Sequence, residues 1–315
     1  MDAYIAVDIG GTQLRAAVYP VEGLKPLEVK RIPTRSKGES PLERLIGLLN
    51  GIWPDEHTVQ AIGVAVPGPT DPYQGVVIEA ANIPGWKKLP LEKILKDRFQ
   101  VPVILGNDAN MAALGEWRYG AAQGHHNILY LTVSTGIGSG IIVNDKLLLG
   151  ARGLAGELGH VTILMNGPIC SCGQPGHLEA LASGTALMNW VKDQLARGAS
   201  SSINKDQPLI GKMITEAAKA GDELAIQAFE RSGTYMGIAL ASHLHIFNPT
   251  AVVIGGGVSE SGDFLLNPLK RALESHVMAH QYLENLKISR AVFGDDAGLV
   301  GALTLARDQH PLSKE

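Results

Sequence analysis

A polar, glycine-rich turn set between two apolar strand-like runs occurs twice in this chain. The pairing constrains its fold more than any other feature. The first copy runs from Tyr4-Ile5-Ala6-Val7 through Asp8-Ile9-Gly10-Gly11-Thr12 into Leu14-Arg15-Ala16-Ala17-Val18-Tyr19. The second runs from residues 128–133 through Ser134-Thr135-Gly136-Ile137-Gly138-Ser139-Gly140 into Ile141-Ile142-Val143. Short apolar runs rich in strand formers and bounded by glycine read as buried strands. The repeated pattern predicts two related halves.

Further apolar runs at 61–66, 101–105 and 251–254 read as strands. They precede Pro67-Gly68-Pro69, Gly106-Asn107-Asp108 and Gly255-Gly256-Gly257. Between them lie segments of helical period at 41–49, 91–98, 109–119, 178–195 and from 222 to about 244. Strands alternating with helices predict α/β layers. The Ser-rich stretch 197–208 reads as a surface loop, and 119–126 as the junction ahead of the second turn. An amphipathic tail at 298–307 can return to the first domain. The expected division is 1–118 plus about 298–315 as a small domain, against 119–297 as a large one.

The length of 315 residues suits two domains at about 150 residues each. Lys and Arg number 27 against 31 Asp and Glu, a net charge of −4 with no basic run. A nucleic-acid or membrane-surface partner needs a cationic patch, so neither is expected. No apolar stretch is long and unbroken enough to span a bilayer. No basic leader precedes an apolar run, which predicts a cytoplasmic protein. The two cysteines, Cys170 and Cys172, rule out a disulfide framework and fit a reducing compartment.

The Asp8–Thr12 turn is neither a Walker A loop nor a dinucleotide fingerprint. Two readings stay open. It is a tight hairpin without a ligand, or its glycines bring backbone N–H groups to a polyphosphate, with Thr12 adding a hydroxyl and Asp8 holding Mg²⁺ through water. The turn around Thr135 and Gly136, and the backbone of Gly255, Gly256 and Gly257, add surfaces for a nucleoside triphosphate. Asn107 and Asp108 either cap a helix or place a general base, Asp108, where ligands of α/β sheets collect. From 156 to 179 run Glu157-Leu158-Gly159-His160, Cys170-Ser171-Cys172-Gly173 and Gly176-His177-Leu178-Glu179. Two thiols and two imidazoles in so short a segment suit tetrahedral Zn²⁺; buried thiols with satisfied histidines are the alternative. His276 and His280 fit a solvated helix face better than a metal site, and His243 and His245 read as structural or surface residues.

In order along nearly the whole chain, these motifs are similar to those of the ROK family of bacterial sugar kinases and repressors, within the actin-like ATPase fold. The resemblance implies an α/β fold of two actin-like, ribonuclease-H-like domains around a central cleft. It also implies a hexose in that cleft, ATP with catalytic Mg²⁺ at the glycine turns, a structural Zn²⁺, and a homo-oligomer, dimer or tetramer. Asp108 is then the base toward the sugar. Gly68, Asn107, Glu157, His160 and Glu179 meet the sugar, and His160 also ligates zinc.

The chain departs from the family pattern twice. His177 replaces the third cysteine, making the zinc set His160, Cys170, Cys172 and His177. Gln13 stands where many relatives carry Lys. The first turn begins too early for a preceding DNA-binding segment, which favours a kinase over a repressor. The expected reaction is ATP-dependent phosphorylation of glucose. Fructose, mannose or N-acetylmannosamine as acceptor, polyphosphate as donor, and a non-catalytic sugar sensor are the alternatives. The cysteine and histidine block argues against a protein-directed actin-like ATPase.

Overall fold

The computed structural model describes residues 1–204 and 207–311. Residues 205 and 206 of the expected loop at 197–208 lie outside the described residues, as do the last four of the segment 298–315. In chain order the elements are β1 (Asp2–Ile9), β2 (Gln13–Pro20), β3 (Glu28–Pro33), α1 (Pro41–Ile52), β4 (Thr58–Val66), β5 (Thr70–Asp71), β6 (Val76–Glu79), β7 (Lys87–Leu89), α2 (Leu91–Phe99), β8 (Val103–Asn107) and α3 (Asp108–Tyr119). There follow β9 (Ile128–Val133), β10 (Ile137–Val143), β11 (Lys146–Leu147), α4 (Leu178–Ala182), α5 (Gly184–Ala196), α6 (Gly211–Lys219), α7 (Glu223–Phe247), β12 (Ala251–Gly255), α8 (Asp263–His276), β13 (Lys287–Arg290) and α9 (Ala297–Gln309). The chain divides into two units. The first takes in Met1–Gly124, Gly140–Gly156 and the chain from Val292 onward; the second takes in His125–Ser139 and Glu157–Ala291.

In the first unit the main sheet has the order β3-β2-β1-β4-β8. The first three strands pair antiparallel, and β1, β4 and β8 run parallel. A strand covered on both faces needs a continuous apolar run, and the run Ala3 to Val7 in β1 is buried throughout. The edge strand β3 carries Glu28, Lys30, Arg31 and Pro33, which discourage pairing with another chain. On one face α1 starts with a capping box between Ser40 and Glu43 and sets Leu45 and Leu49 into the core with no exposed surface. Each such leucine contributes about 1.5–3 kcal/mol on burial. On the other face α9 packs against β1, β4 and α3. This approach is so close that a Cβ on Gly63 would sit 1.9 Å from the Ala302 carbonyl oxygen. One on Gly301 would sit 1.7 Å from that of Met111, so any side chain at either site would push the layers apart.

The second sheet has the order β11-β10-β9-β12-β13. It repeats the scheme of the first: three consecutive strands, then two later ones reached by crossovers. Its β12 is wholly buried and runs parallel to β9 on one side and β13 on the other. The long helix α7 is started by Asp222, which accepts from the Ala225 N–H at 2.9 Å, and it packs along α8. No helix among the described residues is long and apolar enough to cross a membrane.

Three expectations need correction. The helical segment 178–195 is broken at Ser183, whose Oγ caps α5 by accepting from the Ala186 N–H at 3.1 Å. The next N–H, of Gly184, donates to the Ser134 carbonyl at 2.7 Å instead of continuing α4. The second glycine turn is shorter than 134–140, because β10 begins at Ile137 and takes Gly138 and Gly140 into the strand. The helix face expected at 276–280 is absent as well. The α8 helix stops at His276, whose Nδ1 bonds to the Ala272 carbonyl at 2.7 Å, and Val277 is extended.

Candidate functional site

In the first unit Asp8, next to last in β1, lies directly opposite Arg15 of β2. The guanidinium donates to Asp8 Oδ2 through Nε at 3.2 Å and again through Nη2. It also reaches Asp296 Oδ1 at 3.2 Å and the Asp295 carbonyl. Burial pushes the Asp8 carboxyl up, Arg15 pulls it back, and Asp295 and Asp296 push it up again, leaving it above the ordinary carboxylate value. Both Arg15 contacts fall on Oδ2, so Oδ1 is the oxygen that Arg15 leaves unengaged, and a carboxylate oxygen is the donor type that a hard cation or its water shell takes. Beside it the Gly10–Thr12 turn is held by Gly10 N–H to Gln13 O at 2.8 Å and by the Thr34 hydroxyl to Gly10 O at 2.6 Å. Thr12 and Gln13 are exposed.

At the far edge of the same sheet β8 runs straight into α3. The capping duty falls to Asn107, whose Oδ1 accepts from the Ala109 and Asn110 N–H groups at 3.0 and 3.2 Å. Its Nδ2 donates to the Gly68 carbonyl at 3.1 Å, so the Pro67–Pro69 turn and the helix start are tied together by one side chain. Asp108 is the exposed first residue of α3. Its Oδ1 accepts from the Ala109 N–H at 2.8 Å, the N–H of the residue that follows it in the first turn of α3. Gly68, Asn107 and Asp108 therefore form one local group.

In the second unit a cavity of about 460 Å³ lies between the Ser134–Thr135 turn, Gly257 and Val258 after β12, and helices α5 and α6. That volume suits a small ligand. Leu187, Met188, Phe229 and Val258 line it with apolar surface, while Lys212, Thr215, Glu216 and Lys219 supply polar groups. Gly257 N–H donates to Ser134 Oγ at 3.3 Å, joining the glycine run to the turn. Thr135 and Gly257 belong to the cavity wall; Gly255 and Gly256 lie behind it, against Tyr130 and Val133.

Sequence reasoning missed the α6 wall. A signal existed: Lys212, Thr215, Glu216 and Lys219 repeat at i, i+3, i+4 and i+7, which puts all four on one helix face.

His160, Cys170, Cys172 and His177 bring their ligand atoms within 4.8 Å of one another. Cys170 Sγ lies 3.6 Å from His160 Nδ1, and Cys172 Sγ 3.2 Å from His177 Nδ1. A zinc tetrahedron with Zn–S of about 2.3 Å and Zn–N of about 2.0–2.1 Å has edges of about 3.3–3.8 Å, so this donor set fits the ion. Short bonds inside the segment hold the shape: Cys170 N–H to Gln174 O at 2.9 Å, Gly173 N–H to Cys170 O at 2.9 Å, and Leu178 N–H to Val161 O at 3.0 Å.

Glu179, the second residue of α4, faces this cluster. Ser171 Oγ donates to its Oε1 at 2.6 Å and Cys170 Sγ to the same oxygen at 3.5 Å, while the Ile137 N–H donates to Oε2 at 3.0 Å. Burial works against ionisation, but these donors and His160 together hold the carboxyl below its ordinary value. Glu157 is exposed, just before a short helical turn at 158–160, and its carbonyl accepts from the His160 N–H at 3.0 Å. Glu157, His160 and Glu179 thus border one loop, whereas Asp8, Gly68, Asn107 and Asp108 belong to the other unit.

Comparison with known proteins gives these features a common frame. The ROK family model matches residues 4–309. A glucokinase of Streptomyces coelicolor is 32% identical, with 99% of this chain and 100% of that protein covered. The crystal structure of a ROK family glucokinase from Streptomyces griseus, in complex with glucose and AMPPNP, superposes with a TM-score of 0.82 at 34% identity, covering 97% of this chain and 99% of the other. The xylose repressor of Bacillus subtilis is also similar, at 30% identity over 96% of this chain and 77% of its own length. The chain belongs to the ROK family and has its actin-like α/β fold.

Proposed function

We propose that this protein is an ATP-dependent hexose kinase, a glucokinase that transfers the γ-phosphoryl group to the 6-hydroxyl of glucose. The observation that carries this reading is Asp108, an exposed carboxylate on the residue that follows the end of β8, with the neighbouring Asn107 performing the helix cap. Asp108 accepts the proton of the attacking hydroxyl, a role that contributes about 10²–10⁴ in rate. Asn107 and Gly68 fix the approach to that carboxylate, and Glu157, His160 and Glu179 accept and donate hydrogen bonds to the sugar hydroxyls. The cavity walled by Leu187, Met188 and Phe229 suits the adenosine of ATP. Backbone groups of Gly10, Gly11, Thr12, Thr135, Gly136 and the Gly255–Gly257 run would then attend its phosphates. Asp8 orients water on the phosphate-bound cation. Mg²⁺, when bound, spreads the charge of the transferring group. Zn²⁺, when bound by His160, Cys170, Cys172 and His177, supplies structure rather than chemistry.

Whole-length similarity to the Streptomyces glucokinases supports glucose as the acceptor. Similarity to the Bacillus subtilis xylose repressor supports a second reading, a sugar-responsive regulator that does not turn over. A coupled assay with ATP across glucose, fructose, mannose, N-acetylmannosamine and xylose separates them. Turnover highest on glucose supports the glucokinase reading. Turnover on another hexose only corrects the acceptor, and sugar binding with no turnover at saturating ATP overturns the kinase.

A further inference from the structure

The turn that walls the cavity is held from two sides. From α5, the Gly184 N–H donates to the Ser134 carbonyl at 2.7 Å and the Thr185 N–H to the Thr135 carbonyl at 3.3 Å. From the cysteine loop, Glu179 reaches across with Oε2 to accept the Ile137 N–H at 3.0 Å. The contact is so close that a Cβ on Gly136 would lie 2.3 Å from that same oxygen. The other oxygen, Oε1, takes the Ser171 hydroxyl at 2.6 Å. Ser171 sits between Cys170 and Cys172, so its backbone position is set by the loop that those two residues shape. Glu179 thus spans the cysteine loop and the cavity turn, with one oxygen for each.

We infer that Ser171 is a positioning residue that acts through Glu179 on the Ser134–Ile137 turn, so that the state of the cysteine loop sets the affinity of the adjoining cavity for a nucleoside triphosphate. The identity of that ligand rests on the kinase reading above; the mechanical link does not. A carboxylate held at one oxygen by a hydroxyl presents its other oxygen in a fixed direction. Without that hydroxyl the side chain regains rotamer freedom, and the Ile137 N–H keeps its acceptor for only part of the time. The turn then samples more conformations, and a ligand must order it on binding. Filling the metal set stiffens the backbone on either side of Ser171, which acts in the same direction as the hydroxyl itself.

Full-length, zinc-replete protein is compared with Ser171→Ala and with Ser171→Thr, which keeps a hydroxyl. Amide exchange at Ile137 and calorimetric binding of AMPPNP without sugar are read side by side, with metal content checked by elemental analysis. In Ser171→Ala the Ile137 amide should exchange about tenfold faster and AMPPNP should bind about tenfold more weakly, with zinc retained. Ser171→Thr should restore both. KM for ATP should rise in the alanine variant more than kcat falls. Stripping zinc from wild-type protein with a chelator should move the Ile137 amide the same way. Unchanged Ile137 exchange in Ser171→Ala overturns the link whether or not the protein binds a nucleotide. Faster exchange with unaltered AMPPNP affinity overturns its control of the cavity. Faster Ile137 exchange in Ser171→Ala, together with wild-type protein that binds no AMPPNP, defeats the kinase reading and leaves the mechanical link standing.

Discussion

Glu116 and Val292 are 176 positions apart, and the backbone N–H of Val292 donates to Glu116 Oε1 at 2.8 Å. The carboxylate has no exposed surface and also accepts from Phe293 N–H at 2.9 Å and, through Oε2, from Ala121 N–H at 2.9 Å. One side chain of α3 thereby fixes both the chain leaving α3 and the chain that leads into α9. Removing it takes an acceptor from three backbone N–H groups, one of them buried and two part-buried. Glu116→Ala should destabilise the first unit by about 2–3 kcal/mol. Glu116→Gln should cost less, since its amide oxygen still accepts. Urea unfolding of the three proteins tests this, and an alanine variant within about 0.5 kcal/mol of wild type would contradict it.

Asp108→Asn should lower kcat by about 10²–10⁴ while leaving glucose and AMPPNP affinity within a few-fold of wild type. The change is nearly isosteric, and the cap of α3 belongs to Asn107, so the helix keeps its start. Steady-state kinetics beside calorimetric binding give the answer. A folded variant with near-normal kcat removes Asp108 from the mechanism.

Legibility in the sequence followed distance along the chain. The Asp8–Thr12 turn was readable because both strands flank it directly. The closeness of His160, Cys170, Cys172 and His177 was readable because they share one short loop. The break at Ser183 was hidden, since apolar spacing continues across it and the bond that turns Gly184 away, to Ser134, comes from another part of the unit, beside the local cap by Ser183. Gly138 and Gly140 looked like turn residues. Gly140 is in fact a strand residue that lets α3 come close: a Cβ there would meet Ala113 Cβ at 2.5 Å. The span from Ser171 through Glu179 to Ile137 and the Glu116 staple join residues with no local sequence relationship, and neither could be anticipated.

His243 on α7 is 1% exposed, and neither ring nitrogen has a hydrogen-bond partner among the described residues. Burial lowers its pKa from 6.5 to about 4. The folded protein therefore holds the ring neutral, while the unfolded chain takes up a proton near its ordinary value. The stability this imposes is complete above about pH 6.5 and is lost as pH falls toward about 4, by about 3 kcal/mol in all. His243→Leu should flatten that part of the stability–pH curve. Denaturant titrations at pH 7.5, 6 and 5 test the slope, and an identical slope in both proteins would show that other groups carry it.

Replacing His177 separates a metal site from a loop of satisfied side chains. The ring is buried, its Nδ1 lies 3.2 Å from Cys172 Sγ, and it stacks edge-on with His160 at 5.5 Å between centroids. If packing alone sets its role, His177→Cys and His177→Ala should resemble each other, both leaving a small gap. If His177 is the fourth ligand, the donor atom decides. Thiolate serves a tetrahedral structural site as well as imidazole does, so His177→Cys should keep about one zinc per chain and most of the hexose affinity. His177→Ala should lose the metal. The two cysteine thiols then no longer hold the loop, and Glu179 loses its fixed neighbours, so hexose affinity should fall by about tenfold or more. Elemental analysis beside a glucose titration reads both effects. An alanine variant that binds glucose normally, or wild-type protein that stays fully active after its zinc is chelated, would show that the loop is held by its own packing.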